Sequence, residues 1–541
     1  MEATLGFING NVITMNHRVI SQAVAVKNDR IIGVGTNEQV MAMFNQMTHI
    51  IDLQGSTLLP GFIDTHTHIL GFGFSFSSID LFNVRSHAQL VETCKAYIRN
   101  NEIPKGNWVL GRGFNQNEFT DKKNFPTTHV LNSISRDHPI LLLRTDGHIG
   151  ITNDLALSLA GVDETTFVRG GCFDTYENGK PNGVIREAAL EWFKKKISGF
   201  RKIEDLKKAV QTGGKALARF GITSVHTEDS YDLGYSGNLA DVHEAYRQLI
   251  MENNMPVRVY QKVSLPRKED LLEFLKKPLR TGQGNDFFRM GPVKLWADGT
   301  LGARTAALCE DYTDKPGQRG MYLYEDDELK ELLGIAQKND MQACVHSIGD
   351  GSLEQVINCF EKIRSSGKDL RHRIVHCQIG THSQYERIGR LGLSINIQPL
   401  QTATDFPLIE YRLGQGRAST CHAWKTCMDC GINVTGSSDV PCTYSKDAAN
   451  VFLGIHSIVN REQWLPDEAV DVYEALKMYT VNAAVSAFEE EVKGTVEAGK
   501  LADLIVVDQD PLTIDKNQLK HIKVTMTFLG GELTAKEGEP V

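Results

Sequence analysis

The chain predicts an α/β fold, a (β/α)8 barrel of TIM type, and three observations lead there. Eight apolar, strand-like runs alternate with amphipathic helical stretches through the middle of the 541 residues, the pattern of βα units that build a parallel sheet. Residues suited to chemistry stand at the ends of those runs, where such a barrel carries its active site. Short strand patterns at both ends of the chain imply a composite β-sandwich from the two termini, with an insertion after the first barrel strand.

The elements follow in order. Residues 1–57 read as short strands with turn signals between them: LGFINGNVITM, then AVAVKNDRIIGVG with Asn28-Asp29 at a hairpin turn, then HIIDLQGSTLLPG. Residues 488–541 read similarly, with KLADLIVVDQD and with VTMTFLGGELT hinged on Gly530-Gly531, and complete the expected sandwich. Residues 58–487 hold the barrel, with strands in TLLPGFIDTHTH, GITSVHTED, VRVYQKV, GPVKLWADG, QACVHSIGD, HRIVHCQIG, LSINIQP and INVTGSSDVP. Roughly 150 residues separate the first two runs, far more than a βα connection needs. An inserted subdomain over about 80–205 accounts for them and contains GNWVLGRGFNQNEF and LLLRTDGHIGITNDLAL.

Composition narrows the function. A chain that is 41% hydrophobic and 23% charged is of the soluble globular class, and it lacks an apolar run long enough to span a bilayer. Its start, MEATLGFINGN, has neither a basic leader nor an apolar segment with a small-residue cleavage site, so a cytoplasmic location is expected. The net charge of -9, with both signs interspersed, offers no basic stripe for nucleic acid. The partner expected is a small molecule, and a homodimer is left open. Ten cysteines are scattered along the chain and are expected to be reduced thiols. Cys427 and Cys430 form a C-x-x-C without a second pair nearby, for which two thiols on a helix is the default and a zinc site the alternative.

The strand-end residues carry the chemistry. In FIDTHTH the period of two turns Asp64, His66 and His68 to one side and Ile63, Thr65 and Thr67 to the other. Lys294 lies on strand four, His346 on strand five, His376 on strand six and Asp439 at strand eight. Four imidazoles and a carboxylate suit Zn²⁺ first, with Mn, Fe, Co or Ni as alternatives. Any one of these histidines alone could be satisfied by a backbone carbonyl; their recurrence at strand ends is what argues for metal. Lys294, inside the apolar VKLWADG, would have its pKa pushed down, and a neutral amine can add CO₂ to become an anionic carbamate able to bridge two metals. A plain ion pair with Asp298 or Asp439 is the alternative.

These residues stand in motifs that resemble the metal-dependent amidohydrolases, in the amidohydrolase 3 branch that includes N-substituted formamide deformylase. LLPGFIDTHTH, GRGFNQ, RTDGHIGITNDLAL, VKLWADGTLGARTAAL, VHSIGDGSLEQVI, IVHCQIG, INIQP, GSSDVP and GTVEAGKLADLIVVDQDP occur in order from end to end. The resemblance implies a β-sandwich from both termini and a binuclear centre. His66, His68 and Asp439 would hold one metal, His346 and His376 the other, and carboxylated Lys294 would bridge. Two departures lie beside these ligands: VPCTYSKDAANV after Asp439, and Gly351 where a basic residue is common.

The chemistry expected is hydrolysis of a non-peptide carbon–nitrogen bond, in a linear amide such as an N-substituted formamide, by a metal-activated hydroxide. Asp439 would act as general base and then general acid. His148, in RTDGHIG, would donate to the carbonyl oxygen, with a structural turn histidine as the alternative. Trp108, Asp298 and Arg304 are candidates to line the substrate pocket. Deamination or cyclic-amide opening on the same metals is a second reading, distinguished by its product, and a non-catalytic binding relative is a third.

Overall fold

The computed structural model describes residues 2–145, 147, 149–168, 171–197, 201–229, 239–363, 368–442, 446–461 and 464–538. The chain folds as two compact units: Leu70–Gly213 with Ser230–Ala245 form one, and the remainder forms the other.

The larger unit is organised around an eight-stranded sheet. Its strands are β1 (Phe62–Thr67), β2 (Ile222–Glu228), β3 (Arg258–Ser264), β4 (Phe288–Trp296), β5 (Ala343–Ser347), β6 (Arg373–His376), β7 (Ser394–Ile397) and β8 (Asn433–Gly436). Every hydrogen-bonded pairing from β1 through to β8 is parallel and follows chain order. Strands covered on both faces carry near-continuous apolar sequence, and β1, β2, β5, β6 and β7 contain no exposed residue. The sheet is a nearly closed barrel. At the seam Thr65 Oγ1 lies 2.9 Å from Thr435 Oγ1 and donates to the Gly436 carbonyl at 2.8 Å. Helices such as Asp326–Lys338, Asp350–Ile363 and His382–Leu391 fill the crossovers.

Two further sheets belong to this unit. One has four strands, all from residues 5–52, and the other has six, drawn from residues 11–60 and 504–536. They share an apolar core that includes Phe7, Val24, Leu58, Leu504 and Phe528, with the Phe7 and Phe528 rings edge to face at 5.0 Å. Both hairpin signals are realised by left-handed backbone: Asn28 has φ +55°, and Gly530 and Gly531 have φ +58° and +81°, as the turns between twisted antiparallel strands require. A buried bidentate pair, Arg258 with Asp503 at 2.7 and 2.8 Å, ties β3 to the strand Leu504–Val507.

The smaller unit has its own six-stranded mixed sheet, in which Ile79–Asp80, Val109–Phe114 and Ile140–Arg144 are parallel and the rest antiparallel. Its core gathers Leu90, Phe114, Leu131, Leu142 and Val184, among others. No helix among the described residues is long and apolar enough to cross a membrane.

Candidate metal centre

At the C-terminal ends of the barrel strands the residues singled out for metal binding converge. Ligand atoms of His66, His68 and Asp439 lie within 4.8 Å of one another, and all three residues are buried. Asp439 Oδ1 is 3.2 Å from His68 Nε2 and 3.4 Å from His66 Nε2. The His66 and His376 rings are 5.6 Å apart, and the His376 and His346 rings 4.5 Å apart.

The barrel seam itself delivers Asp439. β8 ends at Gly436, and the chain then reaches across to β1: Asp439 N donates to the His66 carbonyl at 2.9 Å, and His68 N donates to the Val440 carbonyl at 3.0 Å. Asp439 takes φ +58° there, and His376 takes φ +73°. Non-glycine residues adopt this left-handed conformation at a cost that surrounding structure must hold in place. Asp64 supplies part of that hold, accepting from Ser438 N at 3.1 Å and His66 N at 3.2 Å; burial pushes its carboxyl up to about 6.

Each imidazole is anchored through one nitrogen and leaves the other for the centre. His68 Nδ1 donates to the Glu228 carbonyl at 2.8 Å. His376 Nδ1 donates to Gln398 Oε1 at 2.7 Å, and His346 Nε2 donates to the Gly299 carbonyl at 3.0 Å. His66 Nδ1 is 2.6 Å from Lys262 Nζ. For His68, His376 and His346 the oxygen acceptors set the tautomer and leave a lone pair on the opposite nitrogen, the arrangement of metal-binding histidine. Burial, followed by neighbouring cationic groups, holds His66 and His376 well below the usual imidazole range and brings His346 to about 3. They are neutral at physiological pH.

Lys294 completes the set. It is buried, and its Nζ has no hydrogen-bond partner among the described residues. Burial lowers its pKa, against the opposing pull of Cys344, Asp439 and Glu228. An orphaned amine among inward-facing imidazole lone pairs and a carboxylate is a donor set that fits divalent cations.

The candidate pocket residues have the following surroundings. Asp298 is buried and serves as an acceptor hub, taking Ala307 N and Gly349 N at 2.9 Å, Ser352 Oγ at 2.8 Å and Ile348 N at 3.1 Å. These bonds join the loop after β4 to the loop after β5, and Asp298 Oδ1 also stands 3.5 Å from His346 Nε2. Arg304 is likewise committed, with two bonds to Asp314, which also pairs with Arg412. Trp108 belongs to the smaller unit, just before the strand Val109–Phe114. His148 lies outside the described residues. Gly351 has a packing reason: a Cβ there would stand 2.9 Å from the Ala307 carbonyl oxygen and 2.7 Å from Tyr322 Oη, leaving no room for a basic side chain. Cys427 lies on the helix Trp424–Asp429 and Cys430 caps it; both are free thiols.

Three residues beside the ligands escape the sequence reading. Lys262 sits in VRVYQKV much as Lys294 sits in VKLWADG, and the criterion of a lysine inside an apolar strand would have selected it. Glu228 stands at the end of β2, as His68 does just beyond β1, and a search for strand-end carboxylates would have found it. Gln398 carries no comparable signal, because an amide after a strand is common.

Residues 49–535 match the model of the Amidohydrolase family. The chain belongs to the amidohydrolase family. YtcJ of Bacillus subtilis (strain 168), an amidohydrolase by name, is 32% identical over 527 residues, covering 95% of this chain and 96% of its own. The N-substituted formamide deformylase of Arthrobacter pascens is 26% identical over 547 residues, 98% of each chain. A solved structure of an uncharacterized metal-dependent hydrolase from Pyrococcus horikoshii superposes with a TM-score of 0.80 at 26% identity, over 95% of this chain and 99% of that one. This amidohydrolase is accordingly a hydrolase of carbon–nitrogen bonds other than peptide bonds, and its metal-dependent relatives support the use of divalent metal.

Proposed function

We propose that this amidohydrolase cleaves a linear amide, of the N-substituted formamide type, at a binuclear centre. His66, His68 and Asp439 would hold one ion and His346 and His376 the other, with zinc as the ion that the nitrogen and oxygen donors suit first. Lys294 would reach both as a carbamate, its neutral amine adding CO₂ and releasing a proton. The observation that carries this reading is the buried Lys294 Nζ, which has no partner among the described residues although it stands among groups that could all share a cation. The deformylase from Arthrobacter pascens, alike over the whole length, supports the substrate class.

Bound there, divalent cations supply a water acidified enough to attack at neutral pH and Lewis acidity toward the substrate carbonyl. The protein's own groups handle the proton. Asp439, with one oxygen shared between His66 and His68, accepts it from the attacking water and returns it to the leaving amine. Gln398, Glu228, Lys262 and Gly299 keep the four rings in register for that exchange.

The test pairs elemental analysis of protein purified without chelator with an amine-release screen over N-formyl and N-acetyl compounds. Metal near two ions per chain with release of a primary amine supports the reading. Release of ammonia instead assigns a deaminase, and protein without metal that turns over nothing overturns catalysis altogether.

A further inference from the structure

A second cluster of buried polar groups rises from the loops after β6, β7 and β8, the strands that lead to His376, Gln398 and Asp439. Gln378 follows β6, and its carbonyl accepts His422 N at 2.8 Å. Asp405 lies on the helix Gln401–Ala418 after β7, with Oδ2 3.4 Å from Gln378 Nε2 and 3.8 Å from His422 Nε2. Arg461 follows the helix Val451–Val459 after β8 and is only 4% exposed. Its Nη1 donates to the His422 carbonyl at 2.6 Å, while Nε and Nη2 have no partner among the described residues. The guanidinium carbon stands 5.1 Å from the centre of the Trp464 ring, which also touches Phe406 at 5.0 Å and His422 at 5.6 Å.

A guanidinium almost withdrawn from solvent and left with one whole edge unbonded is costly to keep. That edge, Nε with Nη2, is the planar fork that takes a carboxylate through two parallel bonds. Asp405 is turned toward His422 and Gln378, and no ion pair joins it to Arg461 among the described residues. The Trp464 ring lies within cation–π range of the guanidinium. We infer that Arg461, backed by Trp464 and His422, forms a subsite for a carboxylate on the substrate, so that the preferred amides carry an acid group on the nitrogen substituent. This rests on the reading of the barrel mouth as an amide-hydrolysing centre and specifies what that centre is offered.

The experiment uses N-formylglycine, N-formyl-β-alanine and N-formyl-4-aminobutyrate, each beside its methyl ester, with two readouts: kcat/KM on the metal-loaded enzyme and Tm shift on chelator-treated protein. At least one acid is expected to exceed its ester by about 100-fold or more in kcat/KM, because a fork built for an oxyanion rejects an analogue that lacks it. The same acid, not its ester, is expected to raise Tm by at least about 2 °C at saturation. Arg461→Met should bring the acid-to-ester ratio near one and remove the shift. Arg461→Lys, which keeps the charge without the fork, should restore only part of both and guards against a folding defect in the first variant. Equal treatment of acids and esters by the wild type in both readouts overturns the subsite even if both are hydrolysed. A Tm shift that depends on Arg461 in a protein that hydrolyses nothing supports the subsite and overturns the hydrolytic reading instead.

Discussion

Two buried lysines stand on neighbouring strands of the same barrel, and they are placed in opposite ways. Lys262 on β3 donates to the Thr65 carbonyl at 2.9 Å and lies 2.6 Å from His66 Nδ1. Lys294 on β4 has no hydrogen-bond partner among the described residues. Burial lowers both, Lys262 to about 7. A buried polar group with partners contributes to the fold, whereas one without them is a cost that the native state carries. The difference separates residues that hold the mouth together from those kept for something the chain does not itself provide. Arg461 falls on the Lys294 side of that line, and Asp298, Arg304 and Asp64 on the other.

The largest effects should come from the unpartnered side and should leave the fold standing. Lys294→Met is expected to lower turnover by at least about 10³-fold and to reduce bound metal, with short-chain carboxylates partly restoring activity. In chelator-treated protein the same variant should be as stable as the wild type or up to about 2 kcal/mol more stable, since an apolar side chain replaces an unsatisfied amine. Full metal and full rate in this variant would exclude the bridging role. Asp439→Asn should cost about 10²- to 10⁴-fold in turnover while sparing more metal than His66→Ala.

Lys262→Met should do the reverse. Leaving the Thr65 carbonyl and His66 Nδ1 without their partner is expected to destabilise chelator-treated protein by about 1–3 kcal/mol, and metal affinity should fall about 10- to 100-fold as His66 loses its anchor. Denaturant midpoints of the two lysine variants side by side decide the matter: shifts of the same sign would erase the distinction between them.

His372 is a partnered imidazole that tests the same rule through pH. Its Nδ1 accepts Ala343 N at 2.8 Å, and its Nε2 donates to Gln337 Oε1 at 2.6 Å, so the ring must be neutral; burial lowers its pKa to about 4. The unfolded chain takes up this proton first as pH falls through the ordinary value near 6.5. Stability is therefore fully present above that value and is lost down to about pH 4, by about 2 kcal/mol at pH 5 and about 3 kcal/mol in all. His372→Asn should flatten this limb in unfolding measurements on chelator-treated protein. The smallest effect is expected at Arg304. Arg304→Ala should lower the denaturant midpoint only slightly, because Asp314 keeps its pair with Arg412, and turnover should stay within a few-fold of the wild type.

Much of the candidate site was legible because polar residues at the ends of apolar strands leave a local signature. His66 and His68 share a strand face two residues apart, and Lys294, His346 and His376 each interrupt or end an apolar run, which a period-two reading detects without coordinates. Asp298 and Arg304 show where such a reading stops. Both stand in a motif beside a strand end, as the ligands do, yet their side chains turn to Ser352 and to Asp314. Those partners lie 54 residues on from Asp298 and 10 from Arg304, and they follow no period.

The amino-acid sequence by itself determined the order of strands, the turns at Asn28-Asp29 and Gly530-Gly531, and the kinds of donor available, because these depend on near neighbours and on side-chain chemistry. Only the tertiary structure decided which polar groups are satisfied. Whether Lys262 is bonded and Lys294 is not, or which edge of Arg461 is left open, depends on hydrogen-bond partners some 40 to 200 residues away in the chain. Such bonds form only over a few ångströms and within a narrow range of angles, so no pattern along the chain can stand in for the folded geometry.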